Sequence, residues 1–321
     1  MAYLKLNKLI LFFITVGLAS NLAAQRKSLY VLHTNNTNGA LENCYCPDNP
    51  FGSIEKRSIY VKNFIKENPN TILVDAGDFL TMSQQTLKDS LVAEAYGLLP
   101  YDALLYGDQE LVLDARTLNR LRGQLGTTLV GTNIDRSDLF TSKIIRRKGL
   151  RIAVMGIVDS NAIKFYPEEI KSRIRLSDPV KAVKDEMKKL EKKADIFILM
   201  THQGYDLDRT FAKKIDGLDL IVGAHSQTAI QSPEEVNGAL IVQAGKSGYY
   251  IGVVEIKMNK GKVVEKSGRL DTMKFEMPDD PRIIEMIEEY EERSGRMNRR
   301  KKKLQEDKML QLCMMWMEFL F

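Results

Sequence analysis

The sequence predicts an α/β fold in which two sheets pack face to face with helices on the outside. In the first two thirds of the chain, short apolar runs alternate with amphipathic stretches, a pattern typical of parallel strands joined by helices. After His225 the pattern changes to strand-like segments joined by turns such as Asn259–Gly261. An αβ part followed by a β-rich part therefore indicates a two-sheet α/β protein.

The elements are predicted from the period of their apolar residues and from the turn residues that end them. We expect strands at Ser28–Thr34, Thr71–Val74, Tyr101–Tyr106, Thr127–Thr132, Lys143–Arg147, Arg151–Val158, Asp195–Thr201, Leu218–Val222, Ala239–Gln243, Tyr249–Met258 and Lys262–Leu270. We expect helices at Ile54–Glu67, Gln84–Leu99, Gly107–Arg122, Pro179–Lys193, Asp206–Ile215 and Pro281–Lys308. The run Ile72–Val74 is apolar throughout, which is typical of a strand buried on both faces.

Polar, metal-competent side chains follow four of these apolar strands. The strand Thr71–Val74 ends at Asp75-Ala-Gly-Asp78, and Leu218–Val222 leads to His225. The other two lead to Asn35, Asn36 and Asn38, and to Thr201 and His202. Because open α/β sheets bind ligands at the carboxyl ends of their strands, the sequence predicts one shared site there.

The chain has three histidines, His33, His202 and His225, and each closes or directly follows an apolar strand. A buried structural histidine explains any one of them about as well as a metal ligand does. Two of the three lie next to Gly, Thr or Ser turns at strand ends, and this placement favours a metal site.

Five sequence strings carry a resemblance to a known family. They are Leu32-His-Thr-Asn-Asn-Thr-Asn-Gly39, Asp75-Ala-Gly-Asp78, Gly107-Asp-Gln-Glu110, Thr201-His-Gln-Gly204 and Gly223-Ala-His-Ser-Gln227. In this order they resemble the blocks L-H-T-N-D-x-H-G, D-x-G-D, G-N-H-E, T-H-x-G and G-G-H-S-H of the calcineurin-like metallophosphoesterases. The likeness is greatest to the catalytic, N-terminal domain of the 5'-nucleotidase family and spans about residues 28–273. It implies a four-layer α/β/β/α sandwich, the metallophosphoesterase fold.

The resemblance implies two metal ions, the first held at the positions of Asn36, Asn38, Asp78 and Gln227. Three of these four residues are neutral amides, which are poor ligands for zinc-, iron- or manganese-type ions. We therefore expect the first metal site to be weak or lost, and a second ion in the protein is doubtful.

The other ion would be held by Asp78, Asp108, His202 and His225, with Asp108 where the family has asparagine. Two carboxylates and two imidazoles suit one Zn, Mn or Fe ion. The alternative is a metal-free polar cluster in which the histidines hydrogen-bond the aspartates.

Gln109 replaces the histidine of G-N-H-E that assists catalysis in the family. Glutamine donates a hydrogen bond but cannot deliver a proton near neutral pH, and loss of a general acid typically costs ~10²–10⁴ in rate. Gln109 and Asn38 are the candidate catalytic residues, since both would line the substrate side. The degenerate active site leaves two hypotheses. One is a hydrolase that acts on phosphate esters, and the other is a catalytically inactive binding or accessory protein.

The ends of the chain predict export. Residues 1–24 combine Lys5 and Lys8 with the apolar stretch Leu9–Leu18, a signal peptide pattern, although an uncleaved anchor is the alternative. Residues 25–275 form the phosphoesterase-like domain, and 276–321 a charged helix with an apolar tail. The tail, Met309–Phe321, is too short to span a bilayer, so we expect no transmembrane span in the mature periplasmic or extracellular protein.

Cys44 and Cys46 lie in the loop after the first block. Three roles remain open for them: an oxidised tight loop, a disulfide with Cys313, and thiolate binding to a soft metal. The formal charge of +5 arises partly from the basic run Arg296–Lys303, so nothing in the composition requires a nucleic acid partner. We expect a small anionic ligand, such as a nucleotide or a phosphate ester.

Overall fold

The computed structural model describes residues 26–42 and 52–295, together with 306 and 308–310. Its strands are β1 (Arg26–Thr34), β2 (Thr71–Asp75), β3 (Ala103–Leu104), β4 (Ser142–Arg147), β5 (Leu150–Val158), β6 (Ile196–His202), β7 (Leu220–Gly223), β8 (Glu234–Val236), β9 (Ala239–Val242), β10 (Tyr250–Asn259) and β11 (Lys262–Thr272). Its α-helices are α1 (Ile54–Glu67), α2 (Thr86–Gly97), α3 (Asp108–Leu111), α4 (Ala115–Leu125), α5 (Glu168–Lys171), α6 (Pro179–Leu190), α7 (Tyr205–Ala212) and α8 (Pro281–Ser294), and a 3₁₀ helix covers Ser160–Ile163.

The strands form two mixed sheets. The first has the order β11-β10-β1-β2-β3, and the second has the order β4-β5-β6-β7-β9-β8. In the first sheet β1, β2 and β3 are parallel and β10 is antiparallel to β1. In the second sheet β5, β6, β7 and β9 are parallel, with antiparallel strands at both edges. Two sheets flanked by helices confirm the predicted four-layer α/β/β/α sandwich.

The main core lies between the two sheets, and strand β6 shows why its sequence is apolar throughout. Ile198 and Met200 are fully buried in the cluster that joins the two sheets. Leu199 faces the opposite way and is fully buried with Val183 of α6 and Phe211 of α7. Both faces of this strand are therefore covered, which positions its last residue, His202, at a rigid strand end.

Three predicted elements differ from the structure. The expected helix Gly107–Arg122 is interrupted at residues 112–114 and forms the two helices α3 and α4. The expected strand Thr127–Thr132 makes only isolated bridges, because it runs beside the two-residue strand β3 through Leu129. The expected helix Pro281–Lys308 ends at Ser294, since Gly295 adopts a left-handed conformation with φ of 63° and caps it. Helix α8 packs on the body through Ile283, Ile287 and Tyr290.

Several expectations fall on residues outside the described part of the chain. These are the signal peptide at 1–24, the cysteines Cys44, Cys46 and Cys313, and most of the apolar tail. Within residues 26–42 and 52–295, no helix is both long and apolar enough to cross a bilayer.

Candidate metal centre

The four predicted metal ligands come together where the carboxyl ends of strands from both sheets meet. Asp78 follows β2 and Asp108 begins α3 after β3, while His202 ends β6 and His225 follows β7. One ligand atom of each residue lies within 4.8 Å of those of the other three. Asp78, Asp108 and His202 are buried and His225 is half-buried, so the cluster opens on one side only.

Two glycines allow the loops that carry these ligands to approach each other. Gly77 has φ of +97°, a conformation that glycine adopts readily. A Cβ on Gly107 would lie 2.3 Å from Oδ1 of Asp78 and 2.7 Å from Cε1 of His202. A side chain at position 107 would therefore displace two of the four ligands.

Glu110 joins the loop that carries Asp78 to the loop that carries Gly107 through hydrogen bonds. Its carboxylate accepts hydrogen bonds from the backbone N–H groups of Asp78 (2.9 Å), Leu80 (2.9 Å) and Gly107 (2.8 Å). The carboxylate is completely buried. It therefore acts as a structural acceptor that holds the turn after β2 against the start of α3.

The protonation of His202 is set by its surroundings. Its Nδ1 lies 2.9 Å from the backbone oxygen of Ala76, which can only accept, so Nδ1 carries the proton. Its Nε2 lies 2.9 Å from Oδ1 of Asp108 and 3.2 Å from Oδ2 of Asp78. In a neutral imidazole the Nε2 lone pair would face two carboxylates, an arrangement that requires a shared proton or a metal cation between them.

Without a metal, that cation is a proton. Burial alone would lower the pKa of His202, but the charges and hydrogen bonds of Asp78 and Asp108 outweigh it and raise the pKa well above its usual value. Burial likewise would raise the pKa of Asp108, but hydrogen bonds from His202 and His225 hold this pKa below its usual range. The metal-free cluster is therefore an imidazolium beside ionised carboxylate.

The donor set fits a divalent ion. Two carboxylates balance the charge of one such ion, and two imidazoles complete a set typical of Zn, Mn or Fe. Metal-bound histidines usually donate their second N–H to a carbonyl or carboxylate, as His202 does to Ala76. His225 lies on the open side, with its Nδ1 3.1 Å from Oδ1 of Asp108 and its side chain 36% exposed.

Asn36 lies where the related motif has an aspartate, and its side chain is fully engaged. Its Nδ2 donates to Oδ2 of Asp78 at 3.0 Å. Its Oδ1 accepts from Nδ2 of Asn35 and from the backbone N–H of His225, both at 3.0 Å. Because both amide atoms are fixed, the N–H donor of Asn36 points at the carboxylate of Asp78.

Two further amides, Gln109 and Asn38, lie beside this cluster. Nε2 of Gln109 donates to Oδ1 of Asn38 at 2.8 Å, and the backbone N–H of Gln109 donates to Oδ1 of Asp78 at 3.2 Å. Gln227 is half-buried, two residues after His225, with a left-handed backbone (φ 57°). Asn36, Asn38 and Gln109 therefore join the residues around Asp78.

His33 does not join the site. It is 1% exposed, and a Cβ on Gly252 of the adjacent strand would lie 1.8 Å from its Nε2. Burial lowers the pKa of His33 to about 3, so its ring is neutral. Its neighbour Thr34, on the opposite face of β1, hydrogen-bonds Asp75 instead. His33 is therefore a core residue.

Tyr166, which lies in none of the five sequence strings, also contacts the cluster, and its hydroxyl donates to Oδ2 of Asp108 at 2.8 Å. Tyr166 is half-buried in the segment between β5 and α5. Burial and the charge of Asp108 raise the pKa of Tyr166, so the hydroxyl keeps its proton. No motif marks this segment, and only the three-dimensional contact identifies the residue.

Comparisons with known proteins find similar chains among the 5'-nucleotidases and nucleotide phosphoesterases. A scan against protein-family models finds no match. The chain is 27% identical to Protein 5NUC of Lutzomyia longipalpis over 88% of this chain and 57% of that protein. It is 25% identical to the 5'-nucleotidase of Homo sapiens (81% and 52%) and 24% identical to the trifunctional nucleotide phosphoesterase YfkN of Bacillus subtilis (74% and 18%). The matched part of the chain spans about half the length of Protein 5NUC and of the human 5'-nucleotidase.

Solved structures show the same fold. A 5'-nucleotidase precursor from Thermus thermophilus aligns with a TM-score of 0.75 at 20% identity, covering 84% of this chain and 59% of that one. The calcineurin-like phosphoesterase YfkN from Bacillus subtilis aligns with a TM-score of 0.68 at 17% identity, covering 84% of this chain and 98% of that one. The chain is thus a homologue of the 5'-nucleotidases and calcineurin-like phosphoesterases, and it adopts the metallophosphoesterase fold.

Proposed function

We propose that this protein hydrolyses small phosphate esters with one divalent ion, held by Asp78, Asp108, His202 and His225. The observation that carries the proposal is the orientation of His202. Its Nδ1–H is committed to Ala76, and its Nε2 faces two carboxylate oxygens within 3.2 Å. This arrangement supports a metal-binding site better than a structural ion pair. The ring of His202 also lies beside that of His225, with 5.3 Å between the ring centroids, so a second imidazole is close to the same carboxylates.

The ion, when bound, would supply Lewis-acid stabilisation of charge on the phosphate group. The residues of the chain would hold the ion and fix the orientation of its ligands. Asp78 and Asp108 balance the charge of the ion, and Ala76 keeps the ring of His202 in the ligating tautomer. His225, on the open side, leaves the cluster accessible to an anionic ester.

The proposal of a single ion rests on Asn36. In the related motif an aspartate at this position offers a negative oxygen to the first metal. Here the position presents Nδ2–H to Oδ2 of Asp78 at 3.0 Å, and its oxygen is already used by two N–H donors. The hydrogen bond of Asn36 therefore replaces the cation that would otherwise share Asp78.

Gln109 narrows the substrate class. Because an amide does not deliver a proton near neutral pH, the leaving group receives no general-acid assistance from this position. Esters whose leaving group departs as a stable anion, such as aryl phosphates, suffer least from this loss. We therefore expect faster turnover of p-nitrophenyl phosphate than of an alkyl phosphate.

The test is hydrolysis of p-nitrophenyl phosphate, AMP and glycerol phosphate by the protein lacking residues 1–24. Activity should disappear with a chelator and return with Mn²⁺ or Zn²⁺. The variant His225→Ala, purified identically, should show no return while keeping the wild-type melting temperature of the metal-free protein. Equal activity in His225→Ala and wild type would overturn the proposal, because the hydrolysis would then come from elsewhere.

A second candidate function is a binding protein without catalysis, which the contact between Gln109 and Asn38 favours. One of the two side-chain N–H groups of Gln109 is donated to Asn38, so only one is left for a substrate. Tight binding of the metal and of inorganic phosphate, with no turnover of any ester, would support this second function over the first.

Export is also a proposal. Residues 1–24 carry the signal peptide pattern, and they lie outside the described residues. We expect the mass of the protein recovered from an exporting host to correspond to a chain that begins near Gln25. Recovery of the full-length chain from the cytoplasm would contradict this.

A further inference from the structure

Tyr166 contacts the candidate metal centre although it lies outside the five sequence strings that carry the other site residues. Its hydroxyl donates to Oδ2 of Asp108 at 2.8 Å. The other oxygen of the same carboxylate, Oδ1, lies 2.9 Å from Nε2 of His202 and 3.1 Å from Nδ1 of His225. The two oxygens of Asp108 are thus divided, one facing the tyrosine hydroxyl and one facing the histidines.

The segment that carries Tyr166 is anchored to the body. Ala162 and Ile163 are buried at 5% and 6% exposure, and the backbone N–H of Tyr166 donates to Ile163 at 3.1 Å. Pro167 follows at once and precedes α5, which restricts the backbone on the other side of the tyrosine. The backbone of Tyr166 is therefore held in place, which fixes the position from which its hydroxyl contacts Asp108.

We propose that Tyr166 is a positioning residue that holds Asp108 as a one-oxygen ligand of the metal ion. The inference rests on the single-ion site of the proposed function. A hydrogen bond to Oδ2 competes with chelation by both oxygens and leaves Oδ1 as the ligand atom. One-oxygen carboxylates suit the low coordination number of Zn-type sites, whereas chelating carboxylates are common where many oxygens bind the ion.

The role of Tyr166 depends on the aspartate at position 108. Where the related motif has asparagine, the side chain offers one oxygen and an N–H₂ group. A tyrosine hydroxyl that donated to that oxygen would compete with the metal for it. With Asp108, the second oxygen accepts from Tyr166 while the first stays available, so the two residues work as a pair.

The experiment titrates the metal-free protein with Co²⁺, following the dissociation constant and the visible spectrum of the bound ion. The variant Tyr166→Phe removes one oxygen atom and should weaken Co²⁺ binding by about 10- to 100-fold and change the spectrum. The matched control is Tyr60→Phe, which removes a hydroxyl bonded to Asp271 between α1 and β11. This control should keep the wild-type affinity and spectrum.

A second pair of variants tests the coupling. In an Asp108→Asn background, Tyr166→Phe should not weaken Co²⁺ binding and could only tighten it, because the hydroxyl would then compete with the ion for the one remaining side-chain oxygen. Wild-type affinity and spectrum in Tyr166→Phe, or the same loss in both backgrounds, would overturn the role of Tyr166 alone. Failure of the wild-type protein to bind any Co²⁺ would overturn this role together with the proposed single-ion site.

Discussion

The side-chain nitrogen of Gln109 donates a 2.8 Å hydrogen bond to Oδ1 of Asn38. Both residues stand where the related phosphoesterase motifs have histidine, so two imidazoles have been replaced by two amides that bond each other. Asn36, the third amide, donates to Asp78 at 3.0 Å. Gln109 also donates its backbone N–H to Oδ1 of Asp78 at 3.2 Å, so the three amides and Asp78 are connected by hydrogen bonds.

Replacing Asn36 with aspartate should destabilise the metal-free protein. The new carboxylate would face Asp78 without the N–H donor and would still accept from His225 and Asn35, so two negative charges would be buried side by side. We expect the free energy of unfolding to fall by about 1–3 kcal/mol. Urea denaturation of Asn36→Asp and wild type measures this loss.

Adding Mn²⁺ should restore more stability to Asn36→Asp than to the wild type, since a cation can then bind between the two carboxylates. The variant Asn36→Ala is the control, because it removes the same hydrogen bond without adding charge. Identical responses of Asn36→Asp and Asn36→Ala to Mn²⁺ would show that position 36 does not face a metal position.

Replacing Gly107 with alanine should weaken metal binding. The added Cβ would lie 2.3 Å from Oδ1 of Asp78 and 2.7 Å from Cε1 of His202, so both of these ligands must move. Loss of a ligand's position should weaken Co²⁺ binding by at least about tenfold. Isothermal titration calorimetry on the metal-free variant measures the change.

The control for this substitution is Gly123→Ala in helix α4, where a Cβ would meet no atom within 4 Å. This change should leave metal affinity unaltered and should stabilise the protein by about 0.5–1 kcal/mol, as alanine does inside a helix. A Gly107→Ala protein with the affinity of Gly123→Ala would contradict the described approach of the loops.

Metal binding should tighten as the pH rises. The pKa of His202 is raised well above its usual value, chiefly by Asp78 and Asp108 against the effect of burial. The metal must therefore displace a proton from His202, and the apparent association constant should rise as the pH rises over pH 6–8. Titrations at three pH values within this range test the slope, and an affinity that does not depend on pH would contradict it.

The same shift predicts how the metal-free protein responds to pH. A histidine whose pKa is higher in the folded state stabilises that state fully below its unfolded pKa, about 6.5. That contribution is lost as the pH rises through the folded pKa. Urea denaturation of wild type should therefore show this stability at low pH, and the metal-free His202→Gln variant should lack this particular pH dependence.

The candidate site could be assembled from sequence because its residues follow strand ends. Asp78, His202 and His225 each lie just beyond an apolar run, and parallel strands bring such positions to one edge. The third histidine, His33, could not be assigned from sequence, because the pattern does not show which face of β1 is turned towards the site. Tyr166 could not be found at all, since its contact with Asp108 joins residues 58 positions apart without a motif.

The sheet topology was also beyond the sequence pattern. The β-rich second half does not form a sheet of its own, because β10 pairs with β1 from Arg26 to His33 while β9 pairs with β7. The pairing of β1 with β10 joins residues more than two hundred positions apart, and no local sequence pattern predicts it. Helix α8 likewise ends at a glycine, Gly295, that interrupts an otherwise helix-like charged stretch.

The most direct test of the account is the metal content of the protein lacking residues 1–24, loaded with Mn²⁺ or Zn²⁺ and freed of excess ion. Mass spectrometry of the eluted metal should give one ion per chain in the wild type and none in His225→Ala. Two ions per chain would show that the amides do not close the first metal position. No ion under any loading condition would show that the cluster of Asp78, Asp108, His202 and His225 is a metal-free ion pair.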